Sequence, residues 1–545
     1  MADRTGRVIL SKGIKLDRQY KNIVDYYETQ MVTLCTNNKV YETTDCSIIK
    51  ENEVLELDVT YSDALKCNYL AFQNPHYSSK WFFAFIDRCE YVSEKCTRIY
   101  FSIDELSTWR DYWDIKPCFV IREHVNNDTF GLHTLPEGIE TGDYIRGSTG
   151  ADYYYNGQFY LAFQVTELIS NMDAAGIGSN RLYNGIYNGL YIVLVDSYTT
   201  ADLLVSAYDD AGKHDSIISC FYVPKGLCPD AIENSGCVLH GSTVTIYFPQ
   251  PSSSIVTFDQ LTVNKPTTID GYTPKNNKLF TKDYCFILAS NNAGSNAQFT
   301  FEDFKNVSSY ETETPKFTIS GVLSQGCSIR LEPSVYYKQP YEVPNYSGYN
   351  SVAKYGITAG KLPICSWNSD YYTNWCTQNA VNIGASVGTS LATASTKLMY
   401  GNVIGAGLEI ANTITSNIAK NYEAQLVPDQ VKGNVNSGDF NFSSNLHFTL
   451  TTMTIKREYA EIIDEYFTRN GYKINRLKVP NETGRTYWNY VQISNESSIG
   501  TTKSTISVPT NSMDVINNAY RSGVTIWHDH SNIGDYSLNN TIVSN

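Results

Sequence analysis

Nowhere does the sequence hold eighteen consecutive apolar residues, which excludes a standard membrane-spanning helix. The opening stretch, MADRTGRVILSKGIKL, lacks an apolar core followed by a cleavage site. No secretory signal is therefore expected, and the chain should be made soluble and stay in the cytosol until something else moves it. Blocks of basic residues are missing too, and the net charge is -14. Proteins that grip nucleic acid neutralise phosphates with clustered Lys and Arg, so that class is excluded. An acidic wall past which nucleic acid slides remains compatible. The thirteen cysteines are odd in number and form no CxxC pair. They are expected to be free thiols that pack as small hydrophobes in a reducing compartment.

Catalytic signatures are as scarce. Neither a Walker A loop nor a nucleophile elbow occurs. Gly176-Ile177-Gly178 is followed by Arg181 where a dinucleotide loop needs its third glycine. His528-Asp529-His530 offers two imidazoles at strand spacing, but no third ligand is evident nearby. Asp209-Asp210 and Glu311/Glu313 are carboxylate pairs of the kind glycosidases use, and also of the kind any surface carries. No catalytic residue, cofactor or metal site is assigned. Arg122-Glu123-His124 is expected to set the register between subunits rather than to catalyse.

What the chain does have is tyrosine, 42 copies of it, among abundant Thr, Ser, Asn and Val, a composition that favours half-buried strands. At 545 residues it has room for two to four domains. The alternation of Val54–Val59 and Thr97–Ile103 predicts strands, and Lys80–Ile86 (KWFFAFI) predicts a strand buried on both faces. Asp104 should cap a short helix reaching toward Trp113, and Phe119–Val125 (FVIREHV) should return to strand. Short strands punctuated by Gly, Asn, Asp and Pro follow at Phe159–Gln164, Leu190–Val195, Thr243–Phe248, Tyr284–Leu288 and Phe317–Val322. Further on, Phe440–Ile455 reads as strand, and Val524–His528 as the last strand. Between them Lys456–Asn470 reads as an amphipathic helix, with Tyr459, Ile462, Ile463, Tyr466 and Phe467 on one face and Gly471 as its stop.

Residues 381–419 differ from the rest. Twenty of these 39 residues are Gly, Ala, Ser or Thr. Twelve are large aliphatics: Val381, Ile383, Val387, Leu391, Leu398, Met399, Val403, Ile404, Leu408, Ile410, Ile414 and Ile418. Only Lys397 and Glu409 are charged. Glycine pairs spaced for close helix approach occur at Gly384/Gly388 and Gly401/Gly405. Burying the aliphatics is worth at most about 20–30 kcal/mol per copy. Each charge at mid-bilayer costs about 3 kcal/mol against it. A buried helical hairpin within one domain is the plainer alternative.

Three segments, Leu70–Ile86 (LAFQNPHYSSKWFFAFI), Phe101–Trp109 (FSIDELSTW) and Phe119–Val125, resemble the start of the tail knob, or distal tail tube, proteins of small podoviruses infecting Gram-positive bacteria. The C-terminal blocks agree in the same order: Tyr466–Asn481 (YFTRNGYKINRLKVPN), Tyr487–Gln492 (YWNYVQ), Ser522–His528 (SGVTIWH) and Asn532–Ser537 (NIGDYS). The resemblance implies a mainly β, α+β multidomain subunit of a homohexameric tube located at the virion tail tip and assembled in the host cytoplasm. The expected division is 1–125 and 431–545 as the two parts of a barrel-like tube wall, 126–370 as inserted β-rich domains, and 371–430 as the apolar loop. In that family such loops plug the lumen and are thought to form a membrane pore for DNA. By position the loop residues here are Val381, Ile383, Gly384, Val387, Gly388, Leu391, Leu398, Val403, Ile404, Gly405, Leu408, Ile410, Ile414 and Ile418. The implied partners are a lower collar or connector protein, phage DNA passing without being gripped, and the host cytoplasmic membrane. A tail-tip wall hydrolase and a glycan-binding adhesin are the rival readings.

Overall fold

The computed structural model describes residues 6–46, 53–73, 80–170, 172, 181–213, 216–252, 256–292, 294–305, 311–323, 328–336, 356–358, 364–366, 435–436, 446–494, 499–500 and 507–543. Strands dominate, with a few short helices between them, and they fall into several sheets. The chain divides into two compact units, the first comprising 1–129, 135–140 and 461–545 and the second 130–134 and 141–460.

Unit 1 is built on a six-stranded antiparallel sheet. Its strands run in the order Lys39–Cys46, Gly6–Ser11, Tyr69–Gln73, Trp81–Ser93, Cys96–Ile103, Val54–Leu57. The two edge strands touch each other, so the sheet curls toward closure. Trp81–Phe85 are all buried in succession, as the apolar run requires. On one face Phe72 stacks on Phe82 at 5.2 Å and meets Phe101 edge-on at 5.5 Å. On the other, Tyr69, Phe83 and Phe85 join Trp488 and Trp527, which come from the far end of the chain. Asp104 caps the helix Glu105–Trp109 by accepting the Ser107 N–H, and it also accepts the Tyr69 hydroxyl at 2.7 Å. A second, five-stranded sheet mixes both chain ends in the order Asn22–Val24, Val524–Trp527, Trp488–Ile493, Cys118–Glu123, Tyr472–Lys478. Its first pair is parallel and the rest are antiparallel.

Two expectations about this region need correcting. In the helix Arg457–Asn470 the buried line is Ala460, Ile463, Asp464 and Phe467, while Ile462 is 65% exposed and Tyr466 lies at the surface. The apolar stripe is thus wider than the contact it makes. The stretch 431–545 is also not one structural part. The strand His447–Ile455 pairs on one side with Tyr144–Tyr154 and on the other with Cys285–Ser290, both in unit 2. Alternation reveals a strand but not the sheet it joins.

Unit 2 contains a seven-stranded sheet ordered Ile232–Leu239, Ser242–Phe248, Tyr191–Val195, Phe159–Val165, Ile217–Pro224, Ile364–Ser366, Val435–Asn436. Phe163, Val165, Val193 and Val195 face the helix Tyr198–Asp210, packing on its Ala201, Leu204, Ala207 and Tyr208. Their neighbours Ala162, Ile192 and Leu194 join a separate apolar cluster with Phe299, Phe317, Ile319, Phe448 and Leu450 from two four-stranded sheets. Period-two residues are therefore buried on both faces.

Inside that cluster's border lies Glu302, only 3% exposed. Its Oε1 accepts the Lys282 N–H at 2.9 Å, and its Oε2 meets no donor among the described residues. Burial pushes this carboxyl from the ordinary 4.5 to about 8, with the backbone hydrogen bonds opposing the shift. Between those two values the folded chain holds a proton that the unfolded chain releases, so stability falls as pH rises through that window. Glu302→Gln keeps the acceptor and never ionises. Unfolding in urea at pH 5 and pH 8.5 is expected to find the variant less pH-sensitive and about 2–4 kcal/mol more stable than the parent at the higher pH. An unchanged pH slope would contradict this.

Candidate functional site

The fourteen positions assigned to the apolar loop, from Val381 through Gly384, Gly388 and Gly405 to Ile418, all lie outside the described residues. What the structure places is the root of the segment that carries them. Ile364–Ser366 and Val435–Asn436 are antiparallel neighbours, with Ile364 opposite Asn436 and Cys365 opposite Val435. Ile364–Ser366 in turn pairs with Ile217–Pro224, register Cys220 to Cys365, so the root is bonded into the seven-stranded sheet as its last two strands. Adjacent strands lie about 4.8 Å apart. The residues that flank 367–434 on either side are therefore neighbours in this sheet, and the stretch has a closed base. Strands of three and two residues leave no periodic trace, which is why sequence inspection missed them.

The second feature is a buried polar node in unit 1, formed by the residues expected to set subunit register. Arg122, Glu123 and His124 are instead buried within one subunit and satisfied there. Arg122 donates to the Gly471 carbonyl at 2.8 Å, pairs with Glu137 and lies over the Tyr466 ring. Glu123 pairs with Lys478 and accepts the Asn481 N–H at 2.7 Å. The His124 Nδ1 accepts the Tyr490 N–H at 2.7 Å, which leaves Nε2–H to donate to the Thr468 carbonyl at 3.0 Å. Burial, reinforced by the nearby Arg485 and Arg122 charges, drives this imidazole down to about 3 and keeps it neutral. Around the node, Tyr472 donates to Asp128, Asn481 to the His124 carbonyl, and Arg485 to the Val125 carbonyl. Apart from Arg122–Glu137, every one of these bonds joins residues more than three hundred positions apart, at the points where the chain leaves unit 1 and comes back to it. The node closes that long loop and positions rather than reacts.

The remaining candidate groups stay apart. His530 Nε2 accepts the Lys15 N–H at 2.9 Å, and His528 Nε2 meets Asn489 Oδ1 at 3.1 Å. Among the described residues no three His, Cys, Asp or Glu side chains are grouped to hold a metal. Asp209 and Asp210 end an exposed helical turn, where Asp210 pairs with His240. Glu311 is exposed and Glu313 half-buried. Gly176-Ile177-Gly178 lies outside the described residues. Cys35, Cys46, Cys67, Cys89, Cys96, Cys118, Cys220, Cys228, Cys237 and Cys285 are free thiols, and all but Cys89 and Cys96 are buried. No helix among the described residues is long and apolar enough to cross a membrane.

Residues 252–541, more than half of the chain, match the family model described as the C-terminal domain of tail knob protein gp9 of Bacillus phage phi29. Residues 4–114 match the N-terminus of caudoviral major tail proteins. The chain is 23% identical to the tail knob protein gp9 of Bacillus phage phi29 over an alignment covering 95% of this chain and 96% of that one. The corresponding protein of Bacillus phage B103 is 21% identical, covering 92% and 93%. Among solved structures the tail knob protein gp12 of bacteriophage C1 aligns over 99% of this chain and 100% of its own, with a TM-score of 0.58 and 14% identity. That likeness carries the fold.

Proposed function

The chain belongs to the tail knob family and is a structural protein of the phage virion tail, and on that premise we propose that it works as a closed tube of six copies through which the genome leaves the particle. Unit 1 forms the wall, and 381–419 is the apolar loop that plugs the lumen and enters the host cytoplasmic membrane when released. One end of the tube abuts a collar or connector protein, and the other faces the host envelope. Its role is structural rather than catalytic. The observation that carries the loop reading is the closed base of 367–434, which lets a long apolar excursion move without disturbing the sheet that holds it. Net charge -14 supports a lumen past which DNA slides, since an acidic wall repels phosphate. Membrane entry needs internally satisfied backbone and many linked copies, and a ring supplies the second. Dye-loaded liposomes test the reading. Assembled protein is expected to release the dye, and full retention across pH and lipid composition would contradict the pore.

A further inference from the structure

Two apolar patches on unit 1 are left uncovered, and they differ in form and in surrounding charge. The first lies on the five-stranded sheet, where Phe119 and Leu477 are register partners on neighbouring strands. Leu477 is 71% exposed, Val479 beyond it 52%, and Phe119 39%. The strand Tyr472–Lys478 is the edge of its sheet, with exposed Arg476 next to Leu477 along that strand and exposed Lys116 three residues before Phe119 in the chain. The second is the outer half of the hairpin made by Trp81–Ser93 and Cys96–Ile103. Past Ile86 its first strand is exposed on both faces except at half-buried Cys89. At the tip Tyr91 and Val92 project into solvent, with the Tyr61 ring 6.2 Å from Tyr91 and exposed Leu65 on the same short helical segment. Around this arm Glu53, Glu56, Asp58, Asp63, Asp87, Glu90 and Glu94 outnumber Arg18, Lys66, Arg88, Lys95 and Arg98.

Scattered surface tyrosines need no explanation. An apolar hairpin tip and an apolar sheet edge do, because both are places that single subunits protect with charge or proline. A contact that repeats head to tail needs two unlike, complementary patches on one body, whereas a two-fold contact needs one patch that complements itself. Here the patches are unlike, and their margins carry opposite charge. Like charge disfavours tip against tip and edge against edge, which sets the direction of docking.

We propose that the acidic hairpin tip around Tyr91 of one copy seats on the basic sheet edge around Leu477 of the next copy. This rests on the ring reading above and names the contact that would build the ring. The test uses full-length Leu477→Asp and Tyr91→Asp in sedimentation velocity, beside the parent. Each variant alone is expected to remain a single subunit. Mixed, they should form one-to-one pairs and no rings, because each retains the face the other has lost. Circular dichroism melting checks the fold, and Leu477→Ser with Tyr91→Ser replaces any variant that does not fold. Rings formed by either variant, or a mixture that stays single, would overturn the proposal while leaving the ring intact. A parent that never assembles would instead remove the ring reading and this contact with it.

Discussion

Replacing residues 381–419 with a short glycine–serine linker is expected to leave assembly intact and reduce dye release from liposomes to background. The first half follows from the root. Cys365 and Val435 face each other across an antiparallel pair, so the residues flanking 367–434 are already neighbours and a shorter connection between them closes over the same base. Shortening a loop whose base is already held together by strand pairing costs little, because closure entropy varies only slowly with length. The second half follows from composition. Twelve large aliphatics against two charges is the chain's concentrated apolar resource, worth at most about 20–30 kcal/mol per copy on transfer from water. The described helices hold nothing comparable. Leakage that persists undiminished after the excision would remove 381–419 from the pore. Loss of assembly together with leakage would assign the segment to the packing of the subunit instead.

Gly471→Ala is expected to cost about 3 kcal/mol or more of unit 1 stability and to lower its melting temperature by roughly 6–12 °C. Gly471 ends the helix Arg457–Asn470 at φ +65, a conformation in which a side chain is strained by about 1 kcal/mol. A Cβ there would also lie 2.1 Å from the Glu123 carbonyl oxygen and 2.3 Å from its carbon. Neither atom can yield, since Cys118–Glu123 is paired on both sides within the five-stranded sheet. The same residue's carbonyl accepts from Arg122, so a shift of Gly471 would also loosen the buried pair with Glu137. Gly138→Ala is the matched comparison. It has φ +70 but open space around its Cβ, and should cost only about 1 kcal/mol. Equal melting shifts for the two variants would show that strain alone, and not the close approach to Glu123, governs the site.

Much of the fold's local content was legible. KWFFAFI could only be a strand buried on both sides, and Asp104 ahead of Glu105 could be read as a cap from residue type and position alone. Pairing was less accessible, because period-two alternation says which face is buried but not by what. That is why His447–Ile455 was placed with the wrong unit. Helices Glu28–Asn37 and Thr510–Ser522 escaped notice for a related reason. Their Thr, Asn and Ser content weakens helix propensity, and only a few positions, Met31 and Cys35 in one and Ile516, Ala519 and Tyr520 in the other, turn inward. Arg122-Glu123-His124 looked like an interface because charges in a strand usually face out. Glu137, Lys478 and Tyr490, which bring them inside, lie far off in sequence or on another segment. The apolar segment was legible as composition, and its two-point attachment was not, since five residues of strand carry no pattern.

The central claim is that the chain acts as a closed ring of identical copies around a channel. Imaging the purified protein in negative stain, with its mass measured in the same preparation, tests this most directly. The account predicts six-fold rings with a central opening and a mass six times that of the 61.3 kDa chain. Particles of a single subunit at every concentration, with no ring and no opening, would contradict it.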